Sequence, residues 1–133
     1  MVETIQIKTP ARSAMVDVTD PISHKVQESG IKSGFCLLHV PHTTAGLLVN
    51  EGADPAVMED ILDFLDQKVP WRAGYKHSEG NSAAHIKATL TGARTFLLID
   101  HGRLLLGTWE RVFFCEFDGP RTRNIHLHLF AAS

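Results

Sequence analysis

The chain has 133 residues, 44% of them hydrophobic and 21% charged, with a formal charge of -2. This length and mix describe one soluble globular domain, expected over residues 1–133, with enough chain for a sizeable core. The charge gives no electrostatic case for nucleic acid or an anionic membrane, so an anion site must come from a local cluster of Arg and Lys.

Residues 3–9 alternate cleanly and predict a strand with Ile5 and Ile7 inward. Pro10 breaks it, and residues 13–18 predict a second strand paired with the first as a hairpin. Asp20 is expected to cap a helix with Pro21 at its first position, Ile22 and Val26 as its apolar stripe and Gly30 at its end. Phe35 to Val40 is apolar almost throughout, as in a strand buried on both faces. His39 shares a face there with Phe35 and Leu37 and reads as a core or interface histidine. The loop from Pro41 to Gly46 has His42 at its mouth, and its small and hydroxylated residues, Thr43 and Thr44 among them, let backbone approach a ligand. A strand over residues 47–50 then leads to Glu51, placed beside Gly52 where functional carboxylates often project.

Asp54 and Pro55 start a long helix whose stripe is Val57, Met58, Ile61, Leu62 and Leu65; its acids read as a solvated face. Residues 69–81 have no period and form a long loop, a common place for function. A helix of small residues follows over 82–91, closed by Gly92, with His85 on its first full turn. The last third is strand: 95–99, a hairpin turn at Asp100-His101-Gly102, then 103–106, 109–117 and 123–130. In the final strand His126 and His128 oppose Ile125, Leu127 and Leu129; that pair reads as a boundary face, with metal chelation the alternative. No apolar run reaches transmembrane length and no basic-then-apolar leader opens the chain, so a cytoplasmic protein is expected. Cys36 and Cys115 lie in apolar runs without a CxxC and read as buried reduced thiols.

Eight strands with two or three helices predict an α+β domain built on a two-layer sandwich. Three loops are expected to meet at one end of it: His42 with Glu51, His77 with His85, and Glu116 through Arg123. The last of these, with Asp118, Gly119, Pro120 and Arg121, reads either as an anion or metal-phosphate site or as a turn braced by an Asp118–Arg121 salt bridge. Three imidazoles, His42, His77 and His85, suit zinc or a similar divalent ion and leave a position open, although the 77/85 spacing matches no standard zinc motif. Glu51 is the candidate general base, and Arg121 and Arg123 the candidate phosphate clamp. No GxSxG elbow occurs, and both thiols sit in apolar strands, which argues against serine and cysteine nucleophiles.

Four stretches carry a resemblance. They are His42-Thr-Thr-Ala-Gly-Leu-Leu-Val-Asn-Glu51 with Ala53-Asp-Pro, and His77 with Glu79-Gly-Asn-Ser-Ala-Ala-His85-Ile-Lys. Gly102-Arg-Leu-Leu-Leu-Gly-Thr-Trp109 and Glu116-Phe-Asp-Gly-Pro-Arg121-Thr-Arg123 follow in the same order. Together they resemble the YjbQ family, over nearly the whole chain. The resemblance implies a YjbQ-like α+β fold with a large, mostly antiparallel β-sandwich, assembled as a homotrimer. It also implies an activity like that of a secondary thiamine-phosphate synthase, joining a pyrimidine diphosphate to a thiazole phosphate with loss of pyrophosphate. Asn81, Lys87, Glu116 and Asp118 then join Thr43, Thr44, Arg121 and Arg123 as candidate substrate or phosphate residues. Zinc or magnesium is the implied cofactor. One position departs from the family pattern: Gln usually follows Gly-Thr-Trp, and here it is Glu110. The expected function is therefore a small metal-assisted enzyme acting on a phosphorylated metabolite. The alternatives are a zinc hydrolase using the three histidines with Glu51, and a non-catalytic trimeric module holding metal or phosphate.

Overall fold

The computed structural model describes residues 1–132. In chain order the elements are β1 (Glu3–Lys8), β2 (Ala14–Asp17), α1 (Thr19–Ser29), β3 (Gly34–His39), β4 (Ala45–Glu51) and α2 (Pro55–Lys68). Then come α3 (Ser82–Thr91), β5 (Arg94–Asp100), β6 (Arg103–Leu104), β7 (Glu110–Glu116) and β8 (Thr122–Ala131). Five strands form one sheet in the order β1-β8-β3-β5-β6, and three form a second in the order β2-β7-β4. Every pairing is antiparallel, so the fold is the expected α+β sandwich.

The core lies between the sheets. Ile5, Ile7, Cys36, Leu38, Leu97, Ile99, Ile125 and Leu127 from the larger sheet meet Leu47, Val112 and Phe114 from the smaller, and α1 adds Ile22 and Val26. The small sheet is covered on its other side too. Cys115 and Phe117, with Met15 and Leu48 at the margin, pack against Leu65 of α2 and Ala84 and Ala88 of α3. Strand side chains alternate between faces, so β7 feeds both cores at once, which explains a run of consecutive buried residues from Val112 to Phe117.

Close approach sets the position of α3. A Cβ at Gly46 would lie 2.2 Å from Thr91 Oγ1 and 2.5 Å from the Gly92 carbonyl oxygen, so only glycine lets the end of α3 rest on β4. The Leu47 amide donates to that same Gly92 carbonyl at 2.9 Å. This seating carries the start of α3 toward the loop after β3.

Three local expectations are corrected. The first two strands form no hairpin: β1 pairs with β8 and β2 with β7, because the 9–13 segment is drawn across the 119–121 turn instead. There the Thr9 amide donates to the Arg121 carbonyl and the Gly119 amide to the Arg12 carbonyl. The first helix begins at Thr19 rather than after Asp20, since the Asp17 carboxylate accepts the Thr19 amide at 3.0 Å. Asp20 is left free to pair with Arg111. Strand β3 is fully buried on one face only; Phe35, Leu37 and His39 lie half-buried on the outer face of the large sheet. The Asp54 cap holds, its side chain accepting the Ala56 amide, as does the 101–102 turn, where His101 and Gly102 both have positive φ.

Candidate functional site

The turn between β7 and β8 is built on a buried ion pair. Arg123 is 3% exposed and Glu116 is fully buried. Arg123 Nε donates to Glu116 Oε1 at 2.8 Å and its Nη2 to Oε2 at 2.5 Å, a two-pronged contact that suits the planar guanidinium. The Thr9 hydroxyl donates to Oε1 at 2.7 Å, the Asp118 amide donates to Oε2 at 3.0 Å, and Arg123 Nη2 also reaches the Thr44 hydroxyl at 2.8 Å. Burial alone would raise the Glu116 pKa. Arg123, the Asp118 amide and the Thr9 hydroxyl outweigh it, and the carboxyl lies below the ordinary glutamate value. Gly119 closes the turn where a Cβ would strike the Ala11 carbonyl oxygen at 2.4 Å.

Outside this knot the same turn presents Arg121. Its Nε donates to the Asp118 carbonyl at 2.8 Å and its Nη2 to Asp118 Oδ2 at 3.2 Å, with the side chain 50% exposed. The braced-turn reading of Asp118 and Arg121 is thus correct, and the brace aims the guanidinium at a pocket of about 520 Å³. His42, Thr43, His77, His85, Asn81 and Asp118 also line it. His77 and His85 meet edge to face, ring centroids 5.5 Å apart. The loops carrying His42, the 77/85 pair and Arg121 therefore do converge, as the sequence led us to expect.

The state of His42 is fixed by its backbone neighbour. The Asn124 amide donates to His42 Nε2 at 2.9 Å, so that nitrogen is an acceptor and the ring proton sits on Nδ1. Burial and then the charges of Arg123 and Arg121, opposed in part by Glu116, push its pKa below the ordinary value, which keeps the ring neutral. His42 is a hydrogen-bond donor in this state. A metal ligand would need a lone pair where His42 holds a proton, and among the described residues no three His, Cys, Asp or Glu side chains group as a metal set. The three-histidine zinc arrangement does not fit these residues.

Other expected site residues carry structural roles. Glu51 ends β4, about 20 Å along the strand from Ala45, and is not among the residues that line this pocket. Its Oε2 accepts the Asp54 amide at 3.2 Å, so within one chain it supports the start of α2 rather than acting as a base in this pocket. Lys87 is 3% exposed and pairs with Asp66 of α2. Two helical positions differ by about 200°, so with His85 facing the pocket Lys87 must face α2. Thr44 and Arg123 line the pocket and hold each other, and the fully buried Glu116 holds Arg123 without reaching the pocket lining. Glu110 lies directly across from Glu51, and its Oε1 accepts the Gly107 amide at 2.8 Å, a role the family's Gln oxygen could equally fill. Thr9, which bridges Glu116 and the Arg121 backbone, was missed; a lone threonine before a proline carries no signal in sequence.

Comparison with known proteins agrees with this architecture. A family profile described as UPF0047 protein YjbQ-like matches residues 3–132. The UPF0047 protein YugU of Bacillus subtilis (strain 168) is 47% identical over 130 residues, covering 97% of this chain and 98% of that protein. The UPF0047 protein MJ1081 of Methanocaldococcus jannaschii is 47% identical over 93% of this chain and 90% of its own. Among solved structures, a YjbQ/UPF0047 protein of Clostridium acetobutylicum superposes with a TM-score of 0.94 at 44% identity, covering 96% of this chain and 99% of that one. A protein of unknown function from Sulfolobus solfataricus also superposes at 0.94, with 35% identity over 99% of this chain and 97% of its own.

Proposed function

The chain belongs to the YjbQ-like UPF0047 family, and from that premise we propose that it is a small enzyme whose pocket binds the phosphoryl group of a metabolite. The observation that carries the reading is a pair of oriented donors on one pocket wall: His42, with its proton held on Nδ1, and Arg121, braced by Asp118. Donors fixed in advance meet negative charge without reorganising, which is where such sites gain most of their rate. His85, across the pocket and edge-on to His77, is placed to give or take a proton.

A thiamine-phosphate synthase-like reaction is the finer form of this reading. Pyrophosphate would depart with the electron pair of its carbon–oxygen bond, and the thiazole nitrogen would supply the pair for the new carbon–nitrogen bond. No proton need move, so His42 and Arg121 would act by stabilising the leaving pyrophosphate. A hydrolase built on three histidines and Glu51 is not favoured, because Glu51 stands at the far end of β4 and His42 Nε2 is engaged. A homotrimer is part of the proposal. Its support is the outer face of the large sheet, where Phe96 (65% exposed), Leu98 (59%) and Phe130 (37%) leave a contiguous group of large apolar side chains open to a partner.

The test is calorimetric titration with pyrophosphate, followed by 31P NMR of candidate diphosphate esters. Wild type should bind pyrophosphate, Arg121→Ala should weaken it about tenfold or more, and His42→Phe should do the same. Failure of the wild type to bind either phosphate or pyrophosphate at millimolar concentration would remove the reading.

A further inference from the structure

We infer that the ligand of this pocket is a sugar or polyol phosphate, whose hydroxyl groups are received by Asn81 and the carboxylates beside it. The inference rests on the phosphate reading above and adds what the rest of the ligand must be. Asn81 is 7% exposed and lines the pocket. Its Nδ2 donates to Asp118 Oδ2 at 2.9 Å and to Glu79 Oε2 at 3.4 Å. Turning the amide over would set its carbonyl against two carboxylates, so its neighbours fix which end is which.

That leaves Asn81 Oδ1 as an acceptor, and it is buried with no hydrogen-bond partner among the described residues. Such atoms are few in native structures and tend to mark places where something else binds. Asn81 precedes α3, yet its side chain makes no capping bond to the helix amides, so secondary structure does not satisfy the oxygen either. A phosphoryl oxygen cannot satisfy it, being an acceptor itself. A hydroxyl hydrogen can.

The pocket is thus two-sided. Donors stand at His42 and Arg121, and acceptors at Asn81, Asp118 and Glu79. An apolar or aromatic body beside the phosphate would strip water from the acceptor side and give nothing back. Several hydroxyls would pair with it. An ammonium group would also donate to these acceptors, so phosphoethanolamine is the competing ligand that the experiment must separate. Oδ1 is shut off from solvent, so a ligand hydroxyl reaches it only as a neighbouring side chain gives way, and Glu79 is the more loosely held of the two carboxylates on Asn81. That side chain is 73% exposed and makes the longer of the two hydrogen bonds to Asn81, at 3.4 Å.

The experiment compares inorganic phosphate, n-propyl phosphate and glycerol 3-phosphate by calorimetry on the full chain. The two esters share a carbon count and differ in their hydroxyls. Wild type should prefer glycerol 3-phosphate over propyl phosphate by about tenfold, the worth of one or two buried hydrogen bonds. Asn81→Ala should cut that preference to about threefold or less, a ratio that is insensitive to any weakening of phosphate binding through Asp118 because both esters share it. Equal affinity of wild type for the two esters overturns the polyol inference, as does tighter binding of phosphoethanolamine than of glycerol 3-phosphate. A preference that survives in Asn81→Ala removes the role given to Asn81. If inorganic phosphate itself does not bind, the underlying phosphate reading has failed. Should Asn81→Ala not fold, the wild-type ester comparison decides alone.

Discussion

Two arginines separated by a single residue, Arg121 and Arg123, meet opposite fates. Arg123 alternates inward on β8, is 3% exposed and is held on both prongs by Glu116. Arg121 lies before the strand, and its side chain stays 50% exposed and touches only its own turn through Asp118. Both are arginine–carboxylate pairs, and the difference between them is burial. A pair without water is a frame that cannot be broken cheaply, whereas a pair at the surface can release a guanidinium to a ligand. A charge cluster read from sequence must therefore be divided by depth before roles are assigned.

The largest effect should come from breaking the frame. Arg123→Ala leaves the Glu116 carboxylate buried and unpaired, and is expected to cost about 3–5 kcal/mol of stability in urea denaturation. A loss under about 1 kcal/mol would mean that water reaches Glu116 and that the contrast in depth is illusory. The next effect is on pH dependence. Glu116 has a folded pKa below its unfolded one, so its contribution is fully present above the unfolded value, about 4.3, and is lost as pH falls through the folded value. Glu116→Gln should therefore flatten the fall in stability below about pH 4 relative to wild type. An unchanged acid limb would show that other carboxylates set it. The smallest effect belongs to the surface pair: Arg121→Ala should change stability by no more than about 1 kcal/mol, its consequence appearing in anion binding instead. A loss as large as that for Arg123 would make Arg121 part of the frame too.

The elements were legible where one physical signal dominated. Periodicity gave the strands with Ile5 and Ile7 and with Ile125 and Leu127, and Asp54 with Pro55 marked the start of α2. The meeting of His42, His77, His85 and Arg121 was legible as well, through motifs carried on separate loops. What sequence could not supply was depth and partner. Helix phase separates Lys87 from His85, but only the packing of α2 against α3 shows that Lys87 closes on Asp66. Nothing near His42 in the chain foretells the Asn124 amide that fixes its proton, because the two meet across 82 positions. Strand length set Glu51 apart from the pocket, and a strand's two ends look like neighbours when read along the chain.

The knot around Glu116 also governs when the pocket can exist during synthesis. It ties Thr9 near the start, Thr44 in the middle and Arg123 near the end, with separations of 107 and 79 positions along the chain. Contacts of such long range form late, after the entropy of closing large loops has been overcome. A nascent chain halted before residue 123 would have α2, α3 and the small sheet in hand, but would lack both the strand that joins β1 to β3 and the partner that holds Glu116. The last strand thus completes the Glu116 knot and the large sheet together, and a truncation that removes β8 removes both.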